Sequence, residues 1–272
     1  MACSYLRYPL VVALCLLLPA AAAAELRLVR ANGVDIAYSE TGSGPPLVLI
    51  HGFGDCGGAW QPFTAELGKH YRVITMDLRG HGGSGDFEGP FLFEDSAGDL
   101  LALLDLLGLE TVRAMGISAG GMTLLHAASR EPGRIEAMAV IGAAHYFPEQ
   151  AREIMRGVPG NLPAEVRESF ERCATRGEAQ VDGLLQRFHG FKDNHEDIDL
   201  SPQELGTIRA RTLVVHGDRD VFFPVDIPAA VYAAIPDAQL WIVPGGDHVP
   251  IYGPNEKAFV DTALRFLADA QP

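Results

Sequence analysis

Residues 115–122 read MGISAGGM and place a serine between glycines where a strand-like run gives way to a helix-like run. A turn from strand to helix this sharp strains the backbone of its central residue, and side chains two positions away would collide. Gly116 and Gly120 remove that collision. The stretch therefore has the G-x-S-x-G pattern of a strand–turn–helix that exposes one hydroxyl, that of Ser118, at the edge of a sheet.

Continuous apolar runs recur along the chain and are typical of strands buried on both faces, as in a parallel sheet. They cover Leu47 to Ile50, Tyr71 to Met76, Val112 to Met115, Ala137 to Ile141, Thr212 to His216 and Leu240 to Val243. Helix-like stretches lie between them, at Phe93 to Leu107, Gly121 to Arg130, Ile227 to Ala234 and Glu256 to Ala268. This alternation predicts an α/β fold with a mostly parallel sheet flanked by helices.

The alternation changes at two places. Asn32-Gly33 separates two strand-like runs and predicts an antiparallel hairpin at the start of the sheet. From His145 to Thr207 the sequence has short amphipathic helical patterns and no strand-like run. We expect residues 145–207 to form a helical lid over the carboxyl ends of the strands, and residues 25–144 and 208–272 to form the α/β core.

The first 24 residues form a separate segment. Arg7 opens a short basic region, Leu10 to Leu18 is apolar, and Ala20 to Ala24 offers the small residues of a cleavage site. The segment predicts a secretory signal peptide at 1–24 that is cleaved near Ala24, which makes the protein exported, either periplasmic or secreted. We expect no stable membrane span after cleavage; an uncleaved anchor is the alternative.

Composition and charge bound the class of protein and its partners. The chain of 272 residues is 48% hydrophobic and 21% charged, as a globular protein is. A net charge of -14 argues against a nucleic-acid partner, because phosphate binding needs a clustered basic surface. Beyond the predicted signal peptide the cysteines are Cys56 and Cys173, and both a disulfide and two separate thiols are compatible with the sequence.

Two later strands also end in residues that suit serine chemistry. A serine hydroxyl is a poor nucleophile until a base takes its proton and a third group orients that base. One strand runs into GDRDVFFP, which holds Asp218 and Asp220, and the next runs into PGGDH, which ends in His248. The chain therefore carries serine, aspartate and histidine after three separate strands, in the order nucleophile, acid, base.

Taken together, these motifs resemble the α/β-hydrolase family over about residues 26–268. The motifs that carry the resemblance are HGFG at 51–54, DLRGHGGS at 77–84, GISAGG at 116–121, GDRD at 217–220 and GGDH at 245–248. The family places its acid at the last position of G-D-x-D, which favours Asp220 over Asp218, with Asp247 as a weaker rival.

The resemblance also assigns catalytic roles to single residues. Ser118 is expected to be the nucleophile, His248 the general base and acid, and Asp220 the carboxylate that orients the histidine. The backbone amides of Phe53 and Ala119 are expected to form the oxyanion hole. No cofactor and no metal are implied.

Most other polar and aromatic residues are expected to have structural roles. His51 and His81 are assigned to loop shaping, and His126 and His216 to the core or the surface. The acidic stretch 193–199 lacks the glycine turn and terminal glutamate of a calcium-binding loop, which favours a solvated lid loop. We expect one or two apolar lid residues to face the substrate, from a set of five: Phe147, Met155, Phe170, Leu184 and Phe188.

The resemblance implies hydrolysis of a small or medium carboxylic ester through an acyl-enzyme, with a small molecule as the substrate. Carbon–carbon bond hydrolases, lactonases and cofactor-free haloperoxidases or perhydrolases of this fold keep the same triad and are alternatives. A ligand-binding receptor without turnover is a further alternative. Serine at position 118 argues against dehalogenase and epoxide hydrolase chemistry, for which the family uses aspartate there.

Overall fold

The computed structural model describes residues 25–162, 164–195 and 197–268. The predicted signal peptide at 1–24 lies outside these ranges. Within them, no helix combines the length and the apolar character needed to cross a membrane.

The described residues contain one sheet of eight strands, in the spatial order β1-β2-β4-β3-β5-β6-β7-β8. The pairs β1–β2 and β2–β4 are antiparallel, and all other neighbours are parallel. The strands are β1 Leu26–Ala31, β2 Val34–Gly42, β3 Pro46–Ile50, β4 Arg72–Met76, β5 Val112–Ile117, β6 Ile135–Ile141, β7 Arg211–Gly217 and β8 Ala238–Val243. The predicted mostly parallel α/β sheet is confirmed.

Nine α-helices occur in the described ranges. They are α1 Gln61–Leu67, α2 Phe93–Leu106, α3 Ala119–Arg130, α4 Glu149–Gly157, α5 Ala164–Cys173, α6 Glu178–Gly190, α7 Pro202–Leu205, α8 Asp226–Ala234 and α9 Glu256–Ala268. The sequence analysis did not predict α1 and α7. Both are short, and α7 depends on a capping box between Ser201 and Glu204, so neither produces a long periodic pattern.

The central strands are buried on both faces, which accounts for their continuous apolar sequence. In β5, Val112 and Ala114 belong to the core cluster shared with α2, α3 and α8. Met115 and Ile117 belong to the second cluster, shared with α1 and α9. Successive residues of a strand point to opposite faces, so a strand between two helical layers carries apolar residues on both faces.

Residues 145–207, which hold α4 to α7 and lie between β6 and β7, are called the helical segment below. Polar contacts join α6 to the loop after β4: Gln180 donates to the carbonyls of Gly80 at 2.9 Å and Gly82 at 3.1 Å. Cys173, at the end of α5, forms a disulfide with Cys56, in the loop after β3. The disulfide decides between the two states of these cysteines that the sequence left open.

Candidate active site

The turn between β5 and α3 holds Ser118 in a strained conformation, with φ 48° and ψ -113°. Its amide donates to the carbonyl of Ile141 at 2.7 Å. A Cβ atom on Gly116 would lie 2.4 Å from the carbonyl carbon of Gly120, and one on Gly120 would lie 2.4 Å from the carbonyl oxygen of Ile50. Only glycine fits at both positions, so the two glycines permit the strained turn.

A chain of hydrogen bonds connects three residues from three strand ends. Ser118 Oγ lies 3.0 Å from His248 Nε2, and His248 Nδ1 lies 2.8 Å from Asp220 Oδ2. The Asp220 side chain is fully buried, whereas the His248 side chain is 20% exposed. With the Nδ1 proton donated to Asp220, Nε2 is free to accept the hydroxyl proton of Ser118.

Asp220 is held as a carboxylate by its surroundings. Its Oδ1 accepts the amides of Phe222 at 2.7 Å and Phe223 at 3.2 Å. Burial alone would raise the pKa of Asp220, but the hydrogen bond and the charge of His248, together with the Phe222 amide, lower it below its ordinary value. The other two candidate carboxylates make different contacts: Asp218 accepts the amide of Gly245, and Asp247 accepts that of Val249.

His216 is a residue of this site that the sequence analysis assigned to the core or the surface. It is fully buried in β7, its Nε2 donates to the carbonyl of Phe223 at 2.8 Å, and the same atom lies 3.5 Å from Asp220 Oδ2. Burial lowers the pKa of His216, so the ring is neutral near pH 7. The available signal was its position as the penultimate residue of β7, the strand that precedes Asp220.

The two expected oxyanion donors lie beside Ser118. Ala119 is the first residue of α3, where backbone amides have no partner inside the helix. Phe53 follows Gly52, and a Cβ atom on Gly52 would lie 3.5 Å from Ser118 Cβ. Both Phe53 and Ala119 line the cavity that Ser118 faces. The Phe53 ring packs edge-on against His81, with ring centroids 4.5 Å apart.

The cavity at Ser118 has a volume of about 480 Å³ and lies between the strand ends and the helical segment. Most of its wall is apolar. Four of the five lid residues considered in the sequence analysis line it, namely Phe147, Met155, Phe170 and Phe188. One or two were expected, because the sequence does not indicate that α4, α5 and α6 all face the same space.

Comparison with known proteins places this architecture in a family. Residues 45–191, just over half of the chain, match the family model described as the alpha/beta hydrolase fold. The chain belongs to the α/β-hydrolase family. It is an α/β-fold hydrolase, and its relatives include esterases.

Three similar proteins show the range of this resemblance. The hydrolase is 29% identical to human serine hydrolase BPHL over 236 residues, which cover 81% of this chain and 79% of the relative. It is 28% identical over 262 residues to a pimeloyl-[acyl-carrier protein] methyl ester esterase of Xanthomonas campestris, covering 84% and 96%. The solved structure of a serine hydrolase involved in carbazole degradation superposes with a TM-score of 0.76 at 25% identity, covering 90% and 99%.

An open groove adjoins the cavity of the hydrolase on the side of His248. It has a volume of about 860 Å³ and is formed mainly by the chain between Gly245 and Asn255, which follows β8. Five residues line both the groove and the cavity, namely Ser169, Val221, His248, Val249 and Tyr252. His248 therefore lines both the cavity and the groove.

Other polar clusters of the hydrolase have structural partners. Within the described ranges, one group of residues has the spacing of metal ligands, Asp55 with Cys56 and Cys173, but the two sulfur atoms form the disulfide and are not thiolates. In the acidic stretch 193–199, Asp197 accepts the amides of Phe93 at 2.7 Å and Glu94 at 3.0 Å. Asp197 therefore caps the first turn of α2, a role that the expectation of a solvated loop did not include.

Proposed function

We propose that this hydrolase cleaves a small or medium carboxylic ester through an acyl-enzyme, with Ser118 as nucleophile, His248 as general base and acid, and Asp220 as the orienting carboxylate. The observation that carries the proposal is the hydrogen-bond chain from Ser118 Oγ through His248 to Asp220, at 3.0 Å and 2.8 Å, at the wall of the cavity. This is the arrangement that activates a serine.

Acylation begins when Ser118 Oγ attacks the carbonyl carbon of the ester and its proton passes to His248 Nε2. The carbonyl electron pair moves to the oxygen, which accepts hydrogen bonds from the amides of Phe53 and Ala119. When the carbonyl re-forms, the bond to the alcohol oxygen breaks and that oxygen takes the proton from His248. The alcohol leaves, and the acyl group stays bound to Ser118 as an ester.

Deacylation repeats the sequence with water in place of the serine. His248 takes a proton from the water as the water oxygen attacks the acyl carbon. The proton then returns to Ser118 Oγ as the carboxylic acid leaves. Asp220 keeps the proton-bearing Nδ1 of His248 in place throughout, since its own carboxylate is fixed by the amides of Phe222 and Phe223.

In this proposal the helical segment is a lid that excludes water from the acyl-enzyme. The aromatic residues that it contributes to the cavity wall support this role.

The predicted export belongs to the same proposal. The Cys56–Cys173 disulfide supports it, because disulfides persist in oxidising compartments and are rare in the cytosol. Mass spectrometry of the protein isolated from its native cells tests it, and a mature amino terminus near Glu25 is the expected result. An intact Met1 would contradict cleavage.

The test of the proposed chemistry is hydrolysis of p-nitrophenyl esters from acetate to dodecanoate by the wild-type protein and by Ser118→Ala. Loss of a triad member lowers kcat by as much as ~10⁶-fold where the triad acts as a unit, so Ser118→Ala is expected to lose nearly all turnover. Ser129→Ala is the matched control, because Ser129 lies in α3, the helix that follows Ser118, and donates to the carbonyl of His126.

A fluorophosphonate probe gives a second readout that does not depend on turnover. It is expected to add its mass to the peptide that contains Ser118 in the wild-type protein and in Ser129→Ala, but not in Ser118→Ala. Equal rates and equal labelling in all three proteins would contradict the proposed nucleophile.

A further inference from the structure

The wall of the cavity at Ser118 is poorly suited to a charge on the acyl chain of a substrate. Of the described residues that line it, none is a lysine or an arginine, and the one carboxylate is that of Asp55. A second carboxylate, brought in by a substrate, would lose its hydration without gaining a cationic partner. Burying an unpaired charge is among the most costly changes in a protein interior.

The polar side chains of this wall already have partners within the protein. Ser169 Oγ donates to the carbonyl of Val166 at 2.7 Å, and the Tyr252 hydroxyl donates to that of Ala59 at 3.0 Å. Asp55 accepts the amide of Cys56 at 2.9 Å. These contacts leave the acyl end of a substrate facing mainly hydrocarbon.

A group of aromatic rings forms one part of the wall. Phe53 lies at the centre of this group, with ring centroids at 5.2 Å from Phe191, 5.6 Å from Phe188 and 6.3 Å from Phe170. Phe191 and Phe170 are nearly fully buried. This part of the cavity suits an apolar chain or ring, which gains free energy by leaving water.

The position of His248 determines which half of the ester, acyl or alcohol, lies in the cavity and which lies in the groove. The leaving alcohol must take its proton from His248 Nε2, so the alcohol oxygen lies within hydrogen-bond reach of that atom. The open space next to His248 is the groove between Gly245 and Asn255. Among the described residues that line this groove, Asp247 is the one with a carboxylate, and it is exposed. Water therefore remains in contact with a group that lies in the groove.

On the basis of the proposed ester hydrolysis, we infer that the substrate is an ester of an uncharged, apolar carboxylic acid, with its alcohol half extending into the open groove beside His248. The cavity of about 480 Å³ holds roughly sixteen groups of the size of a water molecule, at about 30 Å³ each. A medium acyl chain or an aromatic ring fits within this volume.

A matched pair of esters tests the charge of the acyl half. The p-nitrophenyl ester of hexanoic acid and the mono-p-nitrophenyl ester of adipic acid have the same carbon chain, but the second ends in a carboxylate. We expect kcat/KM for the adipate ester to be lower by at least ~100-fold, because the cavity does not compensate its charge. Similar values for the two esters, with turnover that depends on Ser118, would overturn the inference and leave the proposed function standing.

Binding to Ser118→Ala measures the same preference without turnover. Hexanamide is expected to stabilise this variant in a thermal unfolding assay, whereas the monoamide of adipic acid, which has the same chain and ends in a carboxylate, is expected to shift its Tm much less at the same concentration. Tighter binding of the adipic monoamide would overturn the inference. If Ser118-dependent hydrolysis of every ester were absent, the proposed function would fail, and this binding comparison would still decide the character of the cavity.

A mirrored pair of esters tests the assignment of the groove. In 2-(2-methoxyethoxy)ethyl hexanoate the hydrated tail is on the alcohol, and in ethyl 6-(2-methoxyethoxy)hexanoate it is on the acyl chain. We expect the first to be cleaved at about the rate of ethyl hexanoate and the second at least ~10-fold more slowly, because only the groove keeps the tail in water. The reverse order, or an equal loss for both, would overturn the assignment.

A substitution can also introduce a cationic side chain into the wall of the cavity. Ile154 is a half-buried residue of α4 that lines the cavity, so an arginine there reaches the acyl chain while keeping part of its hydration. Ile154→Arg is expected to narrow the difference between the hexanoate and adipate esters by at least ~10-fold, and Ile154→Gln, a neutral control, is expected to leave it unchanged. An unchanged difference in Ile154→Arg, with the fold intact by circular dichroism, would count against the inference.

Discussion

The strand ends and the helical segment build the two sides of the same cavity in different ways. At the strand ends, Ser118, Asp220 and His248 are fixed by hydrogen bonds of 2.7 to 3.2 Å to one another and to backbone groups. Across the cavity, the helical segment presents mainly apolar side chains such as Phe147, Phe170 and Phe188. In the proposed mechanism, directional contacts define the reacting atoms, and non-directional contacts define the space around the substrate.

Because of this difference, the two sides of the cavity are expected to respond differently to amino-acid substitutions. A hydrogen bond in a triad loses its function when one atom is replaced, because the proton must follow a fixed path. An apolar wall loses or gains volume in proportion to the atoms that are changed. Substitutions at the strand ends should therefore abolish turnover, and substitutions in the helical segment should alter which substrate is turned over.

The largest expected effect is the loss of kcat on substitution of Asp220, compared with substitution of Asp218 in the same loop. Asp220→Asn is expected to lower kcat by about 10⁴-fold, equivalent to about 5.5 kcal/mol, because an amide cannot hold His248 with its proton on Nδ1. Asp218→Asn is the matched control from the same loop and is expected to stay within about twofold of the wild type. Steady-state kinetics on a p-nitrophenyl ester measures both, and a larger loss in Asp218→Asn would assign the acid to the other carboxylate.

The next effect is the loss of stability on removal of the disulfide that connects the helical segment to the loop after β3. The Cys56–Cys173 disulfide closes a loop with a sequence separation of 117 residues, and its removal in a double Cys→Ala variant is expected to lower the free energy of unfolding by about 2–4 kcal/mol. Urea unfolding measures the change, and the wild type in a reducing agent should unfold at the same urea concentration as the variant. Coincident unfolding curves for oxidised wild type and variant would show that the bridge adds no stability.

A smaller effect is expected from His81, a buried histidine that packs against the Phe53 ring. Burial, followed by the nearby His51, holds the pKa of His81 well below its ordinary value, so the folded state binds a proton there more weakly than the unfolded chain does. The free energy of unfolding is then highest above about pH 6.5, and this group alone lowers it by up to about 2 kcal/mol as the pH falls to about 5.

His81→Asn tests this effect, because the asparagine amide can still donate to the carbonyl of Arg79, to which His81 Nδ1 lies at 2.9 Å. Urea unfolding of both proteins at pH 7 and pH 5 should show a smaller loss of stability on acidification in the variant. An equal loss in both proteins would mean that another group carries the acid sensitivity.

His216 tests whether the strand ends position the acid through more than its own hydrogen bonds. His216→Leu is expected to lower kcat by about tenfold, or about 1.4 kcal/mol, with KM unchanged, because the loop from Asp220 to Phe223 loses its anchor at the carbonyl of Phe223. His216→Gln keeps a donor near that carbonyl and is expected to recover most of the activity. Loss in both variants, accompanied by a lower Tm, would indicate packing alone.

The smallest effect on rate, and the clearest effect on specificity, is expected on the side of the helical segment. Phe188→Ala enlarges the cavity, so the preferred acyl chain is expected to lengthen while turnover of the acetate ester stays within about twofold. Phe188→Leu is the control and should move the optimum less. The ester series from acetate to dodecanoate measures the shift, and a uniform loss on all chain lengths would mean that the helical segment supports the chemistry itself.

The fold was predictable because its signals are local. Apolar runs and helical periodicity depend on residues a few positions apart, and they located all eight strands with small differences at the ends. The short helices α1 and α7 were missed, since helices of seven and four residues leave little periodicity to detect. The grouping of Ser118, Asp220 and His248 followed from their common position after parallel strands, and the structure brings the three side chains within hydrogen-bond distance.

By itself, the sequence determined the α/β sheet, the strained turn at Ser118 and the three strand ends that carry polar side chains. Each of these features depends on residues that lie close together along the chain. Only the tertiary structure decided the disulfide, the position of His216 beside Asp220, and the division between the apolar cavity and the open groove. These features join residues that are far apart in sequence, as far as 117 residues for the disulfide, and depend on how the helical segment packs on the sheet. Packing of that kind leaves no periodic trace in the sequence.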